Sequence, residues 1–155
     1  MINKKLNPFF VTGFTEGEGS FYVAIYSRQK NKIGWEVRPS FSLSQNKRDK
    51  ALLYMLKDFF ACGTIRPNRK DNTLKYEVRD LNGLKDKIIP HFDSYRLMGK
   101  KKKDYLTFRK VVCLMLEESH LNKSGLKKIV DLTTTMAKHP YRQESLAKIQ
   151  ALLKE

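Results

Sequence analysis

Three runs of this chain alternate apolar and polar residues, and a fourth is aromatic and β-branched. Together they restrict the fold more than any other feature. Val37, Phe41 and Leu43 fall on one side of a run from Glu36 to Leu43, with Glu36, Arg38, Ser40 and Ser42 on the other. Thr64 to Asn68 places Ile65 inward and Thr64, Arg66 and Asn68 outward. Leu74 to Arg79 sets Leu74, Tyr76 and Val78 against Lys75, Glu77 and Arg79. Phe21 to Tyr26 is the fourth run, and a basic loop from about Arg28 to Gly34 follows it. A period of two marks strands with one face in a core. Here the opposite face is basic, so helices must cover one side of the sheet and leave the other open.

The remaining segments supply those helices. Asn7-Pro8 starts one, because Asn can cap free N–H groups and Pro has none to lose at the first helical position; Gly17-Glu18-Gly19 ends it. A second runs from about Asn46 to Cys62 with Leu52, Leu53, Leu56, Phe59 and Phe60 as its stripe, and Gly63 is its expected stop. Leu84 to Phe92 forms a third. Asp104 to Glu118 forms a fourth, with Tyr105, Leu106, Phe108, Val112, Met115 and Leu116 as its face. Two short helices, about Leu126–Met136 and Gln143–Leu153, close the chain. The expected fold is α+β: helix, two strands, helix, two strands, helices, around a four-stranded antiparallel sheet. The length fits a single domain over 1–155, with a core at about 6–120 and a helical extension at about 121–155.

Thirty-one Lys and Arg against sixteen Asp and Glu give a net charge of +15, which opposes compaction unless a polyanion is bound. A basic sheet face can enter the major groove of a duplex. Arg38, Arg66, Lys75 and Arg79, with Arg28, stand on that open face. A solvated basic face is the plain alternative. No apolar run approaches the roughly 18 residues of a membrane span. The first residues lack a secretory signal's apolar segment. Cys62 and Cys113 read as reduced thiols, and His91, His120 and His139 share no ligand or catalytic spacing. Trp35, Tyr22, Tyr26 and Tyr76 could stack on bases, but packing is the simpler role.

The most specific stretch is Val11 to Phe21, reading Val-Thr-Gly-Phe-Thr-Glu-Gly-Glu-Gly-Ser-Phe. Gly13 and Gly17 lie four apart on one helix face, where a second helix could approach closely. Mid-helix glycine costs about 1 kcal/mol against alanine, and such packing would offset it. Glu16 and Glu18 at the helix C-terminus are disfavoured by the dipole unless a cation joins them. On its own the segment reads equally as a glycine-ended helix with two solvated carboxylates.

This stretch resembles the nine-residue signature of the LAGLIDADG homing endonucleases, with Glu in place of Asp at both acidic positions. The order of elements resembles that family's αββαββα core. The likeness runs from about Leu6 to Lys138. Phe41 to Asp49, which contains Gln45, is similar to the family's strand-to-helix passage. Leu97 to Tyr105 is similar to the segment that supplies its active-site lysine, and Gly125 to Leu132 to its C-terminal helix.

The resemblance implies Glu18, Gln45 and Lys100 as catalytic residues, with Lys101 to Lys103 blurring the lysine's register. It implies Glu18 and the Gly17 carbonyl as ligands of Mg²⁺, for which Mn²⁺ or Ca²⁺ could substitute in binding. Phe9, Phe10, Gly13, Phe14, Glu16 and Gly17 would form a homodimer interface, Glu16 supporting packing rather than chemistry. The implied activity is double-strand cleavage of DNA at a long near-palindromic site, with Arg28, Arg38, Arg66, Asn68, Lys75, Glu77 and Arg79 as the expected DNA contacts and Tyr26, Lys30, Glu36, Ser40 and Ser42 secondary. The contrasting reading is a non-cleaving nucleic-acid binder, such as an intron RNA maturase. An organelle, chloroplast or mitochondrion, is the compartment implied.

Overall fold

The computed structural model describes residues 5–136 and 140–154. Helix α1 (Pro8–Glu18) begins at Asn7, whose Oδ1 accepts the Phe9 N–H at 2.8 Å, and Gly19 caps its end. Strands β1 (Gly19–Ser27) and β2 (Trp35–Asn46) follow. A 3₁₀ turn, Lys47–Asp49, leads into α2 (Lys50–Phe60), and β3 (Thr64–Pro67) and β4 (Thr73–Val78) complete the sheet. Then come α3 (Leu81–Gly83), a π turn (Leu84–Ile88) and α4 (Ile89–Ser94) as one helical stretch. Pro90, which has no N–H to give to a helical ladder, is the second residue of α4, two positions beyond the π turn's end. Helices α5 (Lys101–Leu116), α6 (Lys123–Thr133) and α7 (Pro140–Leu153) finish the chain. The order is the expected αββαββα with helices appended. None of the described helices is long and apolar enough to cross a membrane.

The sheet runs β1-β2-β4-β3, with β4 antiparallel to both neighbours. Its register sorts the side chains. Phe41 faces Val78 and Leu43 faces Tyr76, while Ser42 faces Glu77 and Ser44 faces Lys75. Across the other edge of β4, Thr64 faces Glu77 and Arg66 faces Lys75. A one-residue slip would exchange these rows, so burial of the first row fixes the second as the polar face.

Two compact units organise the described residues. One combines the stretch ending at Phe21 with Ser40–Lys102. Its core is aromatic: Phe41 meets Phe21, Phe60, Tyr76 and Phe92 at centroid distances of 5.2–6.5 Å, and α2 packs on β3 and β4. The other combines Tyr22–Pro39 with the chain after Lys103. Val23, Ile25, Val37, Phe108, Val112, Leu126, Ile129 and Ile149 are buried in it.

Several expectations shift. β2 extends beyond Leu43 to Asn46, because its ladder with β4 continues through Asn46 and Thr73. α2 ends before Gly63: Ala61 takes the left-handed cap at φ 52°, and Gly63 at φ 81° lies beyond it. A Cβ at Gly63 would come within 2.7 Å of the Glu77 carbonyl oxygen, so close backbone approach explains this glycine. On α5, Leu106 and Leu116 are exposed, whereas Thr107 and Val111 are buried.

Candidate functional site

The C-terminal half of α1 divides its residues by face. Val11, Thr12 and Thr15 are buried. Thr12 Oγ1 donates to the Tyr95 carbonyl at 2.8 Å and lies 3.1 Å from His91 Nε2. On the opposite side Gly13 and Gly17 are exposed, and a Cβ on either would meet nothing within 4 Å. Phe9 is 70% exposed, Phe10 is 46% exposed and stacks on Phe14 at 6.1 Å. The sequence therefore leaves an apolar, glycine-centred helix face open in the single chain.

The two acids of this helix have different surroundings. Glu16 Oε1 accepts the backbone N–H of Met98 at 2.5 Å and of Gly99 at 2.9 Å. Lys101 Nζ donates to the Glu16 carbonyl at 2.9 Å. These bonds secure the lysine-bearing loop to the end of α1, so Glu16 supports packing within its own chain. Glu18 is exposed and its carboxylate has no hydrogen-bond or ion-pair partner among the described residues. Lys100 is exposed on the loop that Glu16 holds, and Lys101, next to it, is the lysine bonded to α1. Gln45 lies in the last part of β2 opposite Leu74, and no hydrogen bond ties it to Glu18 or Lys100.

A divalent cation fits the donors at this corner. Glu18 offers free carboxylate oxygens and Gly17 a carbonyl at a helix end, both hard oxygen donors of the kind Mg²⁺ takes. Among the described residues no three His, Cys, Asp or Glu side chains gather to hold a metal. Remaining ligands would come from phosphate oxygens, water or a second copy of the chain.

The polar sheet face carries two charge clusters, one in each unit. In the first, Glu77 receives Arg66 at 2.7 Å, Arg79 at 3.1 Å and Lys75 at 3.3 Å, and its side chain is only 4% exposed. Burial pushes the Glu77 carboxyl up, but the charges of Lys75 and Arg79 outweigh it and hold it below the usual range. In the second, Arg28 and Arg38 both bond Glu36, and Arg38 lies 5.1 Å over the Tyr26 ring. The Arg28 hydrogen bond is the main reason that the Glu36 carboxyl falls to about 2.

The expected DNA contacts divide accordingly. Arg28, Lys30, Arg66, Asn68 and Arg79 are exposed, and Tyr26, Glu36, Arg38 and Lys75 half-buried. Ser40, Ser42 and Glu77 lie on the expected face but are buried, which corrects their placement as solvent-facing groups. Ser42 and Thr64 flank Glu77 across the ladder, and three long cations converge on its carboxylate. Asn68 uses its amide within the β3–β4 turn, donating to Asp71 at 3.1 Å. The role of Glu77 and Glu36 as charge hubs was missed from sequence. The i, i+2 pattern Lys75-Glu77-Arg79 was its visible trace, since these side chains share one strand face.

Of the histidines, His91 and His120 lie within the described residues. Burial takes His91 down to about 4 and lowers His120, with Glu118 opposing the second shift. His120 lines a cleft of about 610 Å³ with Arg28, Lys30, Lys32 and Trp35. His139 lies outside the described residues. Cys62 and Cys113 are both free thiols.

The sheet carries basic clusters, and the glycine-faced helix that precedes it ends in a bare acid. Residues 11–112 match the family model described as LAGLIDADG endonuclease, and the chain belongs to that family. The protein named "Probable intron-encoded endonuclease 2" of Neurospora crassa is 40% identical over 127 residues, 81% of this chain but 28% of that protein. The chain thus spans under a third of that relative's length. The structure titled as the homing endonuclease I-TnaI superposes with a TM-score of 0.85 at 35% identity, covering 94% of this chain and 99% of that one. I-SmaMI, solved bound to cleaved DNA, gives 0.86 at 38% identity, covering 94% of this chain and 49% of that one.

Proposed function

We propose that this chain is a site-specific DNA endonuclease that acts as a homodimer, each copy cutting one strand of a near-palindromic duplex. The open Gly13 and Gly17 face, leading directly into the unpartnered Glu18, carries this reading. Pairing α1 with its copy would bury Phe9, Phe10 and Phe14 and bring two Glu18 carboxylates to the dyad. This chain matches nearly all of I-TnaI and half of I-SmaMI, so these residues correspond to one copy of the fold.

Glu18 and the Gly17 carbonyl would hold Mg²⁺, with Mn²⁺ or Ca²⁺ able to replace it in binding. The bound ion supplies charge stabilisation and a more acidic water. Lys100, held near α1 through Glu16, places a positive charge beside the phosphate under attack. Gln45 orients solvent from the end of β2. The exposed cations of the sheet bind phosphates, which sets affinity, and base edges, which sets sequence. The whole chain would act as one such domain, with its core at about 6–120. An organelle compartment fits the intron origin in the Neurospora relative's name.

Cleavage selection on a randomised pool of near-palindromic duplexes, with Mg²⁺ and with Ca²⁺, tests this. The expected result is Mg²⁺-dependent double-strand cutting that Glu18→Gln abolishes. Specific binding without cutting, unchanged by the substitution, would overturn it and direct attention to intron RNA.

A further inference from the structure

The three cations around Glu77 are half-exposed, yet each already has a fixed partner. Arg66 Nη2 donates to the Glu77 carboxylate, and Lys75 Nζ and Arg79 Nε form ion pairs with it. Side chains of this length ordinarily wander among rotamers, and fixing one on a ligand costs conformational entropy. Here a carboxylate on the central strand holds them before any ligand arrives. Arg79 uses only its Nε in that ion pair, so the terminal nitrogen edge that matches guanine remains outside it. Glu77 is a poor candidate for a base contact, being covered by the cations and by its neighbours in the ladder.

We infer that Glu77 is a positioning residue for DNA sequence discrimination: it fixes Arg66, Lys75 and Arg79 on the sheet so that they read base edges at one register rather than grasping phosphates at many. This rests on the DNA-binding reading above. Without the carboxylate the same three cations would be mobile and more positive in sum. Nonspecific attraction would increase while selectivity declined.

Glu77→Gln is nearly isosteric and removes the charge. Relative affinity is measured for the selected site, for the same site with single base-pair changes, and for unrelated duplex, across a salt series. Discrimination at the positions under Arg66 and Arg79 is expected to fall roughly tenfold. Affinity for unrelated DNA is expected to rise, with a salt slope steeper by about 1. Glu77→Asp, which retains the charge, should restore part of the discrimination. NMR relaxation of the Arg66 and Arg79 Nε–H groups in the DNA-free protein should show ordered side chains that Glu77→Gln mobilises. A direct base contact would not predict that change.

A specific wild type whose discrimination Glu77→Gln leaves intact would overturn the inference and spare the DNA reading. Loss of target affinity with nonspecific binding unchanged would overturn it as well, because it marks a direct reader. Mobile arginines in the wild type would refute the positioning on their own. A wild type with no preferred duplex would instead refute the DNA reading. Should Glu77→Gln fail to fold, wild-type arginine order and Glu77→Asp discrimination decide the matter.

Discussion

Glu18 and Glu77 are the same side chain in opposite conditions. Glu18 stands exposed at the end of α1, with no partner among the described residues. Glu77 is buried on the central strand and already holds three cations. A carboxylate with unfilled acceptor sites is available to an ion that arrives later. One whose sites are filled can only arrange what fills them. Glu16 and Glu36 lie between these limits: one accepts backbone N–H groups, the other joins two arginines near the surface. Function at each acid follows from what it has already bound, not from its residue type.

Glu18→Gln should break the contrast most. On the proposed reading, strand cutting falls at least about 10³-fold, while stability stays within about 0.5 kcal/mol because none of the described residues leans on that side chain. Parallel cleavage and denaturant titrations check both halves. Gly13→Leu should separate folding from assembly on the same helix. The added side chain meets open space in the single chain, and helix propensity improves by up to about 1 kcal/mol. On the proposed homodimer reading, self-association falls roughly a hundredfold in sedimentation equilibrium, about 2.7 kcal/mol.

Glu77→Ala should cost about 1–3 kcal/mol in chemical denaturation, since it strips the counter-charge from three converging cations. Glu36→Gln, in a more open cluster, should cost less than about 1 kcal/mol; equal losses would erase the distinction between the clusters. Acid sharpens the distinction last. His91 is neutral in the fold, with its ordinary value near 6.5 lowered to about 4. Between these values the unfolded chain binds the extra proton, so stability declines as pH falls from about 6.5 towards 4. Glu77 is also depressed, so its contribution disappears only below the ordinary carboxylate range. Unfolding curves from pH 7 to 3 should show the early decline, and His91→Gln should flatten it.

The parts legible in the sequence were those with local causes. Asn7-Pro8 marked the start of α1 because capping is decided within three residues. The alternation of β2 and β4 assigned faces correctly, since side-chain direction is a property of a single strand. What lies over a face is decided by other strands. Ser42 points as expected but is buried, because Glu77 stands opposite it and the cations of β3 and β4 converge there. The continuation of β2 through Ser44, Gln45 and Asn46 had no apolar marker, and only its pairing with β4 reveals it. Leu106 and Val111 were missorted because α5 carries apolar residues around much of its circumference. Glu18 and Lys100 were singled out only through resemblance; Lys101, which bonds the Glu16 carbonyl, had no signal beyond a run of four lysines.

The Glu16 clasp acts as a mechanical linkage. One carboxylate grips two consecutive amides of the lysine loop, and Lys101 grips the same residue's carbonyl. The loop therefore follows any roll of α1 about its long axis. On the proposed reading α1 is also the shaft by which two copies engage. A copy arriving at the glycine face would turn or steady that shaft, and the lysines would register the motion without touching the partner. A solitary chain would then be a mechanism out of gear, its cutting parts present but unaligned until a second one meshes with it.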